Sequence, residues 1–164
     1  MRIQSFNRLG AFGAVFALAL LVSACASKTN QDLAGANGAG GPPGSQQDFV
    51  VNVGDRIFFE TDSTSLTATA QSTLDKQAQW LNQYPRYQIT VEGHADERGT
   101  REYNLALGAR RAQVTRDYLV SRGVNAGRIR TISYGKERPV AVCDDISCWS
   151  QNRRAVTVLG GPSS

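Results

Sequence analysis

The segment Tyr87–Arg122, YQITVEGHADERGTREYNLALGARRAQVTRDYLVSR, decides the fold because it passes from a strand pattern to a helix pattern. In Tyr87–Glu92, Ile89 and Val91 lie two residues apart among polar residues. This is the period of a half-buried strand. The segment therefore predicts a strand whose end leads directly into a loop that carries charged residues.

A tight loop and a long helix follow this strand. Gly93 and Gly99 bracket the loop, and the pattern predicts a helix from Arg101 to Arg122. Gly123 comes directly after it, at the position where glycine commonly ends a helix. The loop side chains are therefore expected next to the first turns of this helix.

One acid and one base are expected to face each other across this loop. Asn104, Leu107 and Arg111 are spaced three and four residues apart, so they share one stripe of the helix. The loop carries Asp96, and the helix can hold Arg111 on the same side as that carboxylate. An acid and a guanidinium facing one small cleft suit a ligand with both an ammonium and a carboxylate. The alternative is a plain ion pair between them, with little energetic value.

The rest of the globular part supplies three more strands and one more helix. Thr67 is a good N-cap candidate for a helix that ends by Tyr84, before Pro85. The predicted strands cover Asp55–Phe59, with Val50–Val53 extending it before Gly54, then Arg128–Ser133 and Arg154–Leu159. The order β-α-β-α-β-β predicts an α+β sandwich, with both main helices on one face of a four-stranded mixed sheet.

The amino end predicts export as a lipoprotein. Arg2 and Arg8 form a positive region, and Leu9–Val22 is apolar but too short to span a bilayer. Residues 1–24 are therefore interpreted as a signal peptide. The sequence LVSAC that ends at Cys25 looks like a lipobox cut before the cysteine. The alternative is an ordinary secretory signal followed by an incidental cysteine.

The lipobox pattern implies that Cys25 carries three acyl chains, which together anchor a protein durably. Ala26 replaces the aspartate that marks inner-membrane retention in many bacteria, so the outer membrane is the expected address. Residues 25–47 are rich in Gly, Ala, Asn and Pro and are predicted to be a flexible linker. The globular domain is expected over residues 48–160, with a short tail over 161–164.

Charge and cysteine content narrow the classes of function. The chain has 18 basic and 14 acidic residues; removal of Arg2 and Arg8 with the signal leaves 16 against 14, a net charge of +2. This excess of positive charge is too small for a nucleic-acid-binding protein.

Cys143 and Cys148 are the remaining cysteines, and in an oxidising compartment they predict a small structural disulfide, with two free thiols as the alternative.

Several motifs resemble one family. The sequence resembles the OmpA-like peptidoglycan-binding domain over about residues 55–159. The stretches that carry the resemblance are IFFETDS (57–63), VEGHADERGTREYNLALGARRAQ (91–113), SYGKERP (133–139) and QNRRAV (151–156). The resemblance implies the same α+β fold and a non-catalytic domain that holds the diaminopimelate residue of cell-wall stem peptides.

The resemblance also implies roles for particular residues. The acid that meets the diaminopimelate amine in the family corresponds to Asp96, and the arginine that meets its carboxylate corresponds to Arg111. Asp62 and Leu107 match positions that line the pocket, and Asn104 matches more loosely. From the residues alone, Asp62 could equally be a turn residue and Leu107 plain helix core.

Beyond the cell wall, the resemblance implies protein partners: TolB, a soluble periplasmic propeller, and other components of the Tol system of envelope integrity and cell division. The segment Ser133–Glu137 holds candidate contacts for TolB. No cofactor is expected apart from the lipid on Cys25. The alternative functions are a protein-interaction module that acts mainly on TolB and a cell-wall hydrolase, which the residues disfavour.

Catalysis and metal binding are disfavoured by the residues themselves. A glycosidase needs two carboxylates on either side of the bond to be cut, whereas Asp96 and Glu97 are neighbours in one turn. His94 is the only histidine in the chain, and one histidine without matching ligands makes a zinc site improbable. The sequence therefore predicts a binding protein, with His94 shaping the turn.

Overall fold

The computed structural model describes residues 40–162. The predicted signal peptide, the predicted lipidation site Cys25, most of the predicted linker and the last two residues lie outside the described residues. Within residues 40–162, no helix has both the length and the apolar character needed to cross a membrane.

The secondary structure follows the predicted order. The strands are β1 (Arg56–Phe58), β2 (Tyr87–His94), β3 (Ile129–Gly135) and β4 (Arg154–Pro162). The helices are α1 (Gln46–Asp48), α2 (Ala68–Gln83), α3 (Arg101–Ser121) and α4 (Ile146–Asn152), with a π-helical segment Phe49–Gly54 and a 3-10 turn Ala126–Arg128. Thr67 caps α2 by accepting a hydrogen bond from the backbone of Ala70 at 3.1 Å. Gly123 follows α3 with a φ of 91°, as predicted.

The sheet is mixed and four-stranded, in the order β1-β4-β2-β3. The pair β2 and β3 is parallel, whereas β4 runs antiparallel to both β1 and β2. Ile57, Ile89 and Val91 point into a core that also contains Leu74 of α2 and Leu119 of α3. The α+β fold with its main helices on one face of a mixed sheet is therefore confirmed.

The opposite face of the sheet is open. Phe58 and Val158 alternate along their strands with buried positions, and these two residues and Ile132 each keep more than a third of their surface exposed. We call this surface the open face.

The chain before β1 differs from the prediction. Val50–Val53 does not extend the first strand; it belongs to the π-helical segment, whose Phe49 is fully buried against Trp80 with ring centroids 4.9 Å apart. An apolar run of this length has no decisive period, and the aromatic contact selects the helical form. Gly44, assigned to the linker, also contacts the domain, because its carbonyl accepts a hydrogen bond from the Tyr87 hydroxyl at 2.7 Å.

A short helix that the sequence analysis did not predict, α4, carries one half of the disulfide. Cys143 and Cys148 are bonded, with their Cα atoms 5.6 Å apart. Asp145 caps the helix by accepting a hydrogen bond from the Ser147 backbone at 2.7 Å. The predicted staple therefore closes the loop that leads into α4.

Two glycines let α3 approach the sheet closely. A Cβ atom on Gly93 would lie 1.8 Å from the carbonyl oxygen of Gly108, and one on Gly108 would lie 2.4 Å from Oγ of Ser133. Only residues without a side chain fit at this crossing. The contact brings the amino-terminal half of α3 against the end of β2, where the polar loop begins.

Candidate ligand-binding site

A cavity of about 270 Å³ lies between this loop and α3. It brings together all five residues predicted to contact a ligand: Asp62, Asp96, Asn104, Leu107 and Arg111. Thr61, Arg98, Gly99 and Tyr103 complete its lining. We call this cavity the acid–base cleft.

Asp96 is held in its ionised form. Its carboxylate accepts hydrogen bonds from Nη2 of Arg98 at 2.7 Å, from Nε of Arg98 at 3.1 Å and from Nη1 of Arg153 at 3.3 Å. Burial alone would raise the pKa of Asp96, but the hydrogen bonds from Arg98 and Arg153 outweigh it and lower the pKa below its usual value of 3.8. The carboxylate is therefore negative at neutral pH.

Arg111 is a fully buried cation that ties together three chain segments. Its guanidinium donates to the carbonyl oxygens of Glu60 at 3.2 Å, Ser63 at 3.0 Å and His94 at 2.8 Å. Burial and the nearby Arg153 lower the pKa of Arg111 to about 10, so it remains charged at neutral pH. It makes no direct ion pair with Asp96 among the salt bridges of residues 40–162, which excludes the plain ion pair as the reason for their proximity.

Asp62 lies at the other side of the cleft. Its φ of 53° is the only positive φ of a non-glycine residue within residues 40–162. Its carboxylate accepts a hydrogen bond from the Tyr103 hydroxyl, and this bond raises the pKa of Tyr103 above its usual value. Asp62 therefore combines a turn conformation with a carboxylate that faces the cleft.

Asn104 and Lys136 hold the loop in shape from opposite sides. Nδ2 of Asn104 donates to the carbonyl of Arg98 at 2.7 Å, and Nζ of Lys136 donates to the carbonyls of Glu97 and Gly99 at 3.1 and 2.7 Å. Asn104 therefore stabilises the loop by a hydrogen bond and also lines the cleft. Lys136 comes from the segment in which the sequence analysis placed candidate contacts for TolB.

His94 does not face the cleft. Its ring is buried beside Tyr134, and neither ring nitrogen has a hydrogen-bond partner among the described residues. Burial, together with the charges of Arg154 and Arg138, lowers the pKa of His94 to about 4, so the ring is neutral at pH 7. Its backbone carbonyl binds Arg111, which agrees with a role in shaping the turn. No group of residues within 40–162 could hold a metal ion.

Four residues of the site were not singled out from the sequence: Arg98, Tyr103, Trp149 and Arg153. Arg98 stacks on Trp149, with its guanidinium carbon 4.1 Å from the ring centroid. Its place directly after Asp96-Glu97 was a usable signal, since an arginine two residues from an acid in a turn can fold back onto it. Arg153 lies 57 residues from Asp96, so only the pairing of β4 in the sheet reveals their contact.

The cleft offers opposite charges at a fixed separation from each other. Asp96 is an acceptor for an ammonium group, and the Arg98 side chain, which is 41% exposed, covers it. A guanidinium has five N–H groups, and Arg111 uses three of its own on carbonyl oxygens, which leaves two for a carboxylate. The arrangement can therefore bind a small zwitterion without any step of bond chemistry.

Comparison with known proteins identifies the family of the chain. The OmpA family model matches residues 58–153. The peptidoglycan-associated lipoprotein of Rhizobium meliloti (strain 1021) is 75% identical over 151 residues, which cover 90% of this chain and 86% of that protein. This chain belongs to the peptidoglycan-associated lipoprotein family. The family member from Brucella melitensis is 65% identical over 164 residues, covering 98% of this chain and 97% of its own.

Solved structures show the same fold. The crystal structure of the peptidoglycan-associated lipoprotein from Burkholderia pseudomallei has a TM-score of 0.63 and 42% identity, covering 65% of this chain and 90% of that one. The carboxyl-terminal domain of Helicobacter pylori MotB has a TM-score of 0.62 at 24% identity, which shows a shared fold alone. As a member of the peptidoglycan-associated lipoprotein family, the chain is a structural protein and not an enzyme.

Proposed function

We propose that the chain is a lipoprotein that binds diaminopimelate-containing peptidoglycan non-covalently and so tethers the outer membrane to the cell wall. The observation that carries the proposal is the acid–base cleft, which places Asp96 and Arg111 in one cavity of about 270 Å³. The names of the relatives support the same class of ligand.

The ligand's amine is assigned to Asp96. A diaminopimelate side chain ends in an ammonium and a carboxylate on one carbon, so both charges enter the cleft together. In this assignment the ammonium takes the place of Arg98, the more exposed of the two arginines, on the carboxylate of Asp96. Arg153 stays in place behind Asp96 because it is buried and also donates to the carbonyl of Phe59 at 3.0 Å.

The ligand's carboxylate is assigned to Arg111. Nη1 and Nη2 each keep one N–H after their bonds to His94 and Glu60, and this pair can meet both carboxylate oxygens. Burial makes such a bond strong, because little water competes for either group. Leu107 and the remaining lining residues of the cleft then cover the aliphatic part of the side chain.

The envelope setting is part of the proposal. A lipid on Cys25 would hold the chain at the periplasmic face of the outer membrane, and no cofactor besides this lipid is assigned. TolB and other components of the Tol–Pal system are proposed as partners in envelope integrity and cell division. Pull-down of TolB by the wild-type chain, compared with pull-down of purified wall material, measures the two kinds of partner separately.

The wall assignment is tested by co-sedimentation with purified sacculi. Walls built on diaminopimelate should bind the protein, whereas walls built on lysine should not, because lysine lacks the second carboxylate. Asp96→Ala or Arg111→Lys should weaken binding roughly ten- to a hundredfold, since a charge-assisted hydrogen bond contributes about 1.5–3 kcal/mol. Lysine fails at this position because an ammonium cannot reproduce the guanidinium fork.

Arg110→Ala is the matched control for the arginine. Arg110 is exposed and does not line the cleft, so its variant should bind like the wild type. Equal sedimentation with lysine walls, or wild-type binding by Asp96→Ala and Arg111→Lys, would show that the cleft is not the wall site.

A further inference from the structure

Arg98 is a cation of the acid–base cleft that the diaminopimelate side chain does not use. The cleft is lined by two carboxylates and two guanidinium groups, those of Asp62, Asp96, Arg98 and Arg111. The proposed assignment gives the ligand's ammonium to Asp96 and its carboxylate to Arg111. The carboxylate of Asp62 already accepts a hydrogen bond from the Tyr103 hydroxyl. Once the ammonium occupies Asp96, the positive charge of Arg98 is therefore left uncompensated.

The guanidinium of Arg98 also keeps N–H groups without a partner. Its Nε and Nη2 donate to the carboxylate of Asp96 at 3.1 and 2.7 Å. A guanidinium has five N–H groups, so three of those on Arg98 have no hydrogen-bond partner among residues 40–162. One on Nη1 and one on Nη2 lie side by side at the end of the planar group, where they form a complete fork for a carboxylate. This fork is available whether or not Asp96 keeps its bonds to the side chain.

The contacts of Arg98 hold this fork in place at the cleft. The guanidinium stacks on the ring of Trp149, and stacking leaves the N–H groups in its plane accessible to a ligand. Nε1 of Trp149 donates to the carboxylate of Glu97, which forms no ion pair with Arg98 among the described residues. The backbone carbonyl of Arg98 accepts a hydrogen bond from Asn104 at 2.7 Å. A side chain that is held in this way loses little entropy when a ligand binds to it.

We propose that Arg98 forms a second anion subsite, which binds a stem-peptide carboxylate other than that of the diaminopimelate side chain. The inference rests on the proposed function, because the cleft must hold the diaminopimelate terminus at the same time. A stem peptide offers two further carboxylates: the α-carboxylate of its glutamyl residue and the carboxylate of its terminal alanine. Both have the chemistry that the fork recognises. Amidation removes the charge of either group, so the subsite distinguishes amidated from unamidated stem peptides.

Calorimetric titration of four stem peptides into the detergent-solubilised full chain tests the proposal. All four peptides carry an intact diaminopimelate side chain. They differ in whether the glutamyl α-carboxylate, the alanine carboxylate, both or neither is converted to an amide. The wild type should bind the unamidated peptide about tenfold more tightly than the doubly amidated one, because a charge-assisted hydrogen bond is lost. The two singly amidated peptides then show which carboxylate meets Arg98.

Variants assign this preference to one side chain. Arg98→Gln removes the charge and should reduce the preference to about onefold, whereas Arg98→Lys keeps the charge without the fork and should retain part of it. Arg101→Gln is the matched control, because Arg101 is also exposed but pairs with Glu137 and does not line the cleft. It should keep the wild-type preference. Each preference is a ratio of two dissociation constants from one preparation, so an inactive fraction of the protein does not change it.

The possible failures can be told apart. If the wild type binds all four peptides equally, and Asp96→Ala weakens binding of each, the cleft is the wall site and the second subsite is overturned. Retention of the full preference by Arg98→Gln also overturns it. If the doubly amidated peptide does not bind the wild type, or binds Asp96→Ala equally well, both the proposed function and this inference fall.

Discussion

Two arginines that differ in exposure keep Asp96 ionised. The Arg98 side chain is 41% exposed, whereas that of Arg153 is 5% exposed and also donates to the backbone carbonyl of Phe59. Removing the carboxylate would leave Arg153 as a buried cation without its partner. A single residue therefore links ligand binding to the stability of the sheet.

This link predicts a pH-dependent effect of Asp96→Asn. The pKa of Asp96 in the folded protein lies below the ordinary 3.8, so its stabilisation is complete above that pH and is lost as the pH falls through the lowered value. At pH 7 the variant should lose about 2–3 kcal/mol of unfolding free energy, and this deficit should shrink in acid. Denaturant titrations of wild type and variant between pH 7 and pH 2 measure the difference.

Asp117→Asn serves as the control for this titration. Asp117 is an exposed carboxylate that pairs loosely with Arg116 at 3.5 Å and accepts a hydrogen bond from Nε2 of Gln113 at 2.7 Å. The amide oxygen of asparagine can still accept the bond from Gln113, so the variant should track the wild type at every pH. A deficit in Asp96→Asn that stays constant between pH 7 and pH 2 would contradict the proposed origin of the effect.

Among the secondary-structure elements, helix α4 is short, and its stability depends on contacts with residues outside the helix. The disulfide and the Asp145 cap fix its start, and Trp149 packs under Arg98. Because it contributes no residue to the lining of the acid–base cleft, its loss should affect stability more than wall binding.

Replacing Cys143 and Cys148 with serine should therefore lower the unfolding free energy by about 2 kcal/mol, as expected for a closed loop of this length. Binding to diaminopimelate sacculi should stay within about fivefold, because an exposed arginine–aromatic contact contributes only about 0.5–1 kcal/mol. In the wild type, the two thiols should resist alkylation until a reductant is added. Mass spectrometry after alkylation, with and without reductant, shows whether the bond is present, and rapid labelling of the unreduced protein would count against it.

The elements that the sequence predicted correctly are those with a long, regular pattern. Strand β2, helix α3 and the loop between them are contiguous, so one segment specifies Asp96, Asn104, Leu107 and Arg111 together. The contact of Arg153 with Asp96 was out of reach because it depends on strand pairing across 57 residues. Helix α4 was missed because its seven residues are too few for a helical period to emerge.

The predicted extension of the first strand over Val50–Val53 was wrong for a related reason. This run is apolar and short, and its conformation is set by the burial of Phe49 against Trp80, which no local pattern records. The hydrogen bond between Gly44 and Tyr87 likewise joins residues 43 positions apart. Composition places Gly44 in the predicted linker and does not show this contact.

For the whole molecule, the burial of Phe49 against Trp80 predicts that the segment before β1 is essential to the fold. Phe49→Ala should lower the unfolding free energy by about 3–5 kcal/mol, the usual cost of removing a buried phenylalanine side chain. Val50→Ala, at a neighbouring position that is 46% exposed, should change it far less. Chemical denaturation of both variants compares the two costs, and equal small effects would mean that the segment only rests on the surface.

The contact between Gly44 and Tyr87 has a mechanical consequence. Tyr87 begins β2, and the acid–base cleft lies where β2 ends, so a pull between the amino-terminal chain and a ligand in the cleft runs lengthwise along this strand. Strand β2 is hydrogen-bonded to β3 on one side and to β4 on the other. A force along β2 therefore acts on many of these hydrogen bonds in shear at the same time, whereas a force across the strand would break them one after another. In the proposed role as a tether, the domain would carry load along the strands of its sheet.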